Sequence, residues 1–173
     1  QKQNKTTLGS NLLAISLFAA SKKEEAIAEL KNTLNFYPAD PLTSNNLANV
    51  YLQNNELDEA KRLYLDVLEK HPDHLKTYNQ MALIALKEND RSSVIKWLKK
   101  AVETNPKVLS AKLILASQYL QDKDANLAIQ LLQSVENEDK KQPGYILLMA
   151  KAKILVGEYQ HAIRALKVLL VEQ

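Results

Sequence analysis

The sequence predicts an all-α solenoid, five copies of one helix-turn-helix unit stacked side by side, and three observations carry that reading. The chain repeats itself with a period of 34 residues, each period holds two stretches of helical apolar spacing, and the composition suits helices throughout. Ala, Leu, Lys, Glu and Gln dominate the 173 residues, with only three glycines and five prolines. At 46% hydrophobic, the chain has ample material for a core.

Sliding the chain against itself by one period aligns Leu13, Leu47, Met81, Leu115 and Met149, each followed by an alanine: Ala14, Ala48, Ala82, Ala116 and Ala150. A second column holds Ala26, Ala60, Val94, Ala128 and Ala162, and a third holds Leu30, Tyr64, Leu98, Leu132 and Leu166. Two helices cross closely only where both lack bulk, so the first two columns are expected to face each other. The larger third column closes the gap to the next unit, so that each unit buries its apolar face by stacking. These registers divide the chain into a single array with units 7–40, 41–74, 75–108, 109–142 and 143–173, the last cut short as in a fragment of a longer protein.

Taken in order, the helices are expected near 7–20 and 23–36, 41–54 and 57–70, 75–88 and 91–104, 109–121 and 125–136, and 143–156 and 159–172. Lys2 and Lys5 ahead of the run from Leu12 to Ala20 imitate the layout of a secretory leader, but that run falls into register with four later segments and is read as the first helix. Ser21-Lys22, Asn54-Asn55, Asn89-Asp90, Asp122-Lys123-Asp124 and Gly157-Glu158 separate the paired helices with types that tolerate left-handed backbone or cap helix ends. Pro38, Pro72 and Pro106 close the first three units. The fourth has Lys140 there and reaches Pro143-Gly144 through Asn137 to Gln142, expected to be the loosest joint.

These columns resemble the tetratricopeptide repeat family from Thr7 to the end: a large-small pair, a small residue opening the second helix, an aromatic or Leu, and a closing Pro. The resemblance implies a right-handed superhelix of about ten antiparallel helices. The family's frequent early Trp is replaced by Ser10, Ser44, Tyr78, Lys112 and Ile146, and its usual Gly after the Leu is always Ala.

No chemistry of catalysis is legible. A phosphate-binding glycine loop, a nucleophile elbow and a His-Glu-x-x-His pattern are all missing from the sequence, and no cofactor or metal is expected. His71-Pro72-Asp73-His74 lies in a loop where convergence on a metal would be fortuitous, and acidic pairs such as Asp58-Glu59 open second helices, where they complement the helix dipole. Trp97 is read as packing on the second-helix layer, with Lys96, Lys99 and Lys100 on a solvated face. A formal charge of +3 with interspersed signs gives no field for nucleic acid or an anionic membrane, and no run approaches the roughly 18 to 20 apolar residues of a membrane span. Asn4-Lys5-Thr6 meets the glycosylation spacing, a frequent accident.

The family resemblance implies a non-catalytic scaffold that binds a protein or peptide in a groove lined by the first helix of each unit. Asn11, Asn45 and Asn79 then share one groove column, with Asn46, Asn49, Gln53, Lys76 and Gln80 beside it. A carboxamide donates and accepts, so such a row suits the backbone of an extended peptide. The last two units set Leu113, Ile114, Leu147 and Leu148 in those columns, with Leu120 and Ile154 near them, an apolar end suited to an anchor side chain or to self-association. The carboxylate clamp of chaperone-binding members is not expected. In one window Asn46 and Lys76 match, but Asn11, Ile15 and Gln80 stand where Lys, Asn and a cation are needed. In the next window Asn49 matches, while Asn45, Gln80, Ser110 and Ile114 do not. The fifth unit and the stretch from Asn105 to Leu120 are similar to long repeat proteins of the bacterial envelope that serve polysaccharide export, exosortase-linked sorting and pilus biogenesis, which favours a periplasmic or envelope setting. A homo-oligomer through the C-terminal unit, or a regulatory repeat domain of a larger enzyme, are the alternatives.

Overall fold

The computed structural model describes residues 6–171. The Asn4-Lys5-Thr6 acceptor asparagine and the leader-like Lys2 and Lys5 lie outside them. Ten α-helices follow one another: α1 Thr7–Ala19, α2 Lys23–Phe36, α3 Pro41–Gln53, α4 Leu57–Lys70, α5 Leu75–Lys87, α6 Arg91–Thr104, α7 Leu109–Gln121, α8 Ala125–Gln133, α9 Pro143–Leu155 and α10 Tyr159–Val171. Among the described residues there is no strand, and no helix is long and apolar enough to cross a membrane.

The repeat is written in the backbone as well as in the side chains. Ser21, Asn55, Asn89, Lys123 and Gly157 all have φ between 58° and 80°, one left-handed residue per period at the end of each first helix. In each turn the next amide reaches back to the carbonyl five residues earlier, as in Lys22 N to Leu17 O (2.9 Å) and Asp124 N to Tyr119 O (2.8 Å), so orphaned carbonyls are satisfied as the chain reverses. α3 and α9 open on proline at the first helical position, where a missing N–H costs nothing.

The chain falls into two compact units, one ending at Asp90 and the other beginning at Arg91. In the first, α1 packs on α2, α3 on α4, and α2 on α3. The small columns meet at its centre, where Ala14, Ala26, Ala48 and Ala60 are each 0% exposed, and Leu30 and Tyr64 fill the space between pairs. In the second, α7 packs on α8 and α9 on α10, again with Ala116, Ala128, Ala150 and Ala162 buried and with Leu132 fully enclosed.

α8 departs from expectation. It stops at Gln133 instead of continuing to 136, giving nine residues against fourteen in α2, α4 and α6. The Ser134 hydroxyl donates to the Leu131 carbonyl (2.6 Å), and the buried Lys112 ammonium donates to the Ser134 carbonyl (2.8 Å). A cation on the last carbonyls of a helix stabilises its end. From there the chain passes through a 3-10 turn, Asp139–Lys141, into α9. Lys112 thus occupies the place of the family's Trp and does a different job.

Candidate interaction groove

In the first compact unit the carboxamides of α1, α3 and α5 pair across helices with a spacing of 35 residues. Asn46 Nδ2 donates to Asn11 Oδ1 (2.7 Å), and Gln80 Nε2 donates to Asn45 Oδ1 at a longer 3.3 Å. The next member of the series, Asn79, has a buried Oδ1 without a hydrogen-bond partner among the described residues, and the position 35 residues on is Ile114. The ladder stops where the sequence runs out of carboxamides.

The members of the asparagine column are not equivalent. Asn11 is 1% exposed, and its Nδ2 donates to Thr7 O (2.7 Å) and to Thr43 Oγ1 (2.8 Å). Thr43 Oγ1 in turn donates to Asp40 Oδ1, which caps α3 by accepting from Thr43 N (2.9 Å). Asn11 therefore presents no surface of its own, and what it contributes to the cleft is the position of Asn46. Asn45, Asn46, Asn79 and Gln80 are half-buried, whereas Asn49, Gln53 and Lys76 are exposed.

A cavity of about 390 Å3 opens beside this ladder, lined by Ala14, Ile15, Phe18, Leu30, Asn46, Asn49, Val50 and Gln53. No charged side chain lines it. Ile15 is 54% exposed, so α1 and α3 leave an apolar floor open to solvent beneath a rim of primary amides. Asn46, Asn49 and Gln53 of the expected groove line this cavity with Ile15 and Phe18, whereas the expected apolar anchor positions lie in the last two units. The signal for Ile15 and Phe18 was present: they share columns with Asn49 and with Leu120 and Ile154, which were already assigned to the groove.

A larger cavity of about 680 Å3 in the same unit is walled by Lys31, Tyr51, Glu56, Glu59 and Arg62 together with four neighbours. Its polar groups answer one another. Arg62 pairs with Glu59 (3.4 Å), Lys31 Nζ stands 5.8 Å from the Tyr51 ring centroid, and Glu56 accepts from Asn54 (2.8 Å). Little in its wall is left asking for a ligand.

In the second unit the apolar members divide again. Leu113 and Leu148 are half-buried, Leu120 is 4% exposed, and Ile114, Leu147 and Ile154 face solvent. Leu113 Cδ1 would lie 3.1 Å from a Cβ on Gly144, so the glycine admits this leucine between α7 and α9. His74 is the N-cap residue of α5 and pairs through Nδ1 with Thr77 Oγ1 (2.7 Å), and burial and then the neighbouring His71 lower its pKa from the ordinary value. Trp97 is half-buried, with Lys100 Nζ 5.3 Å and Lys96 Nζ 5.8 Å from its ring centroid.

Residues 17–84 match the family described as Tetratricopeptide repeat, and residues 87–169 match the one described as Anaphase-promoting complex, cyclosome, subunit 3. Among solved structures, a tetratricopeptide repeat protein from Parabacteroides merdae superposes with a TM-score of 0.70 at 19% identity over 94% of this chain, which spans 65% of the length of that one. MamA from Desulfovibrio magneticus RS-1 gives a TM-score of 0.68 at 18% identity, covering 99% of this chain and 97% of MamA. YrrB, described as a TPR protein with an unusual peptide-binding site, gives 0.65 at 15% identity, covering 97% and 87%. At such identities the likeness establishes the fold alone. The chain matches no curated protein sequence.

Proposed function

Because this chain belongs to the tetratricopeptide repeat family, we propose that it is a non-catalytic interaction scaffold holding an extended segment of a partner protein across α1 and α3. The observation that carries this reading is the uncharged cavity in which Asn49 and Gln53 stand beside Ile15, Phe18 and Val50. An extended segment sends alternate side chains to opposite sides, so one apolar side chain enters the cavity while its backbone pairs with the amides on the rim. Asn46, anchored by Asn11, keeps that rim in place. The proposed setting is a bacterial envelope assembly, supported by the wording of the repeats.

The test is to select peptides from a displayed random library and titrate them by calorimetry into the protein, Asn49→Ala and Ile15→Glu. Each variant is expected to weaken binding by about tenfold, or about 1.4 kcal/mol. Selected peptides whose affinity for both variants stays within about twofold of the parent's contradict the proposal.

A second reading, self-association through α9 and α10, is favoured by the exposure of Leu147, Leu155 and Ile163 and of Leu170 at 76%. Light scattering that returns 19.5 kDa at every concentration removes it.

A further inference from the structure

Two departures from the repeat coincide in the second compact unit. The first is the early end of α8. In the first unit Leu34 and Asn35, on the last turn of α2, line one cavity with Leu47. Their counterparts one period short of α9, Glu136 and Asn137, have left the helix. The second is Ala165, in the column that holds Leu63, Trp97 and Leu131 in the three units before it. Ala165 lines one cavity with Met149, and Lys140 and Lys141, on the segment that follows the early end of α8, line it too. Leu47, Met81 and Leu115 in the column of Met149 are 2%, 3% and 3% exposed, whereas Met149 is only half-buried.

The space left is a cavity of about 270 Å3 with Tyr145, Ile146, Met149 and Val168 in its walls and Lys140 and Lys141 at its edge. Among the described residues neither lysine is in an ion pair, and Lys140 Nζ spends one of its three donors on Asn137 Oδ1 (3.0 Å). Glu136, Glu138 and Asp139 precede the lysines on the same segment, but none of them lines the cavity. An apolar hole the size of one large side chain, with unpaired cations at the mouth, is complementary to an apolar residue set among carboxylates. Lysines, as point charges on flexible stems, accept a carboxylate from many directions, which suits a short segment without a fixed fold.

We propose that this cavity docks a short acidic segment of a partner protein carrying one bulky apolar side chain, which enters beside Met149 while the flanking carboxylates meet Lys140 and Lys141. The site is separate from the carboxamide cleft of α1 and α3 and does not depend on it.

The test uses a fluorescein-labelled peptide of sequence Ser-Asp-Glu-Phe-Glu-Asp-Ser and reads its anisotropy against the whole chain. Saturable binding is expected below about 1 mM. It weakens as salt rises through the range where the screening length falls below about 10 Å. Replacing the peptide's Phe by Ala, or its acidic residues by Lys, is expected to cost about tenfold or more. In the protein, Ala165→Leu restores the side chain of the neighbouring units and fills the hole, and the double change Lys140→Glu with Lys141→Glu reverses the rim. Each is expected to cost at least about tenfold with the helical circular dichroism unchanged. Should Ala165→Leu disturb the helices, the surface lysine pair carries the test by itself. The proposal is overturned by an absence of saturable binding, by an affinity that the lysine reversal leaves within about twofold, or by loss of binding in Ile15→Glu with none in the lysine variant.

Discussion

Asn11→Ala is the substitution for which the structure makes the most specific demand. The side chain is 1% exposed and takes part in three short hydrogen bonds, to Thr7 O, Thr43 Oγ1 and Asn46 Nδ2, at 2.7, 2.8 and 2.7 Å. At about 1 kcal/mol net for each neutral bond the total is near 3 kcal/mol. Two relaxations reduce it: Thr43 still donates to Asp40, and half-buried Asn46 reaches water. The expected loss is about 2 to 3 kcal/mol, concentrated at the contact between α1 and α3. Asn45, in the same column, is half-buried with a single 3.3 Å bond, so Asn45→Ala is expected to cost less than about 1 kcal/mol. Repeat arrays open locally, so the pair is best compared by hydrogen exchange with mass spectrometry across α1 and α3, with urea unfolding alongside. An Asn11→Ala variant no less protected than Asn45→Ala refutes the reasoning.

Three further outcomes follow from single residues. Burial pushes the Tyr64 phenol from 10.0 up to about 12, and its hydroxyl has no partner among the described residues. The unfolded chain then loses this proton first, so stability is intact below pH 10 and declines as the pH climbs towards 12. Tyr64→Phe is expected to be neutral or stabilising by up to about 1 kcal/mol at neutral pH and to flatten that alkaline decline, read by chemical unfolding at a series of pH values. Lys123 sits at φ 65° and Gly157 at φ 80° in equivalent turns, so Lys123→Gly is expected to gain and Gly157→Ala to lose about 1 kcal/mol in thermal unfolding. Lys112→Ala strips the cation from the Ser134 carbonyl and is expected to cost about 1 to 3 kcal/mol, with protection lost first at the end of α8 in hydrogen exchange.

The helices were legible because the columns that make them are local: Leu13 and its equivalents, followed by alanine, need only the period to be seen. The turns were legible at Asn55, Asn89 and Gly157, whose types suit left-handed backbone, and less so at Ser21 and Lys123, which adopt it because the helices on either side require it. The early end of α8 was not legible. Val135 continues the helical apolar spacing, and the end at Gln133 is stabilised by Lys112, a side chain on a different helix. The cleft was half legible. Asn49, Gln53, Ile15 and Phe18 could be assigned from their columns, but the burial of Asn11 depends on how closely α1 crosses α3, and so does the opening of a cavity between them.

The most direct measurement is an amide-proton spectrum of the 15N-labelled chain during titration with a selected peptide. The side-chain NH2 pairs of Asn46, Asn49 and Gln53 and the backbone of Ile15 and Phe18 are expected to shift together with a single affinity, in the order of their distance from the apolar floor. Peptide binding that leaves those five residues unmoved, while resonances elsewhere in the chain respond, contradicts the assignment of function to the cleft of α1 and α3.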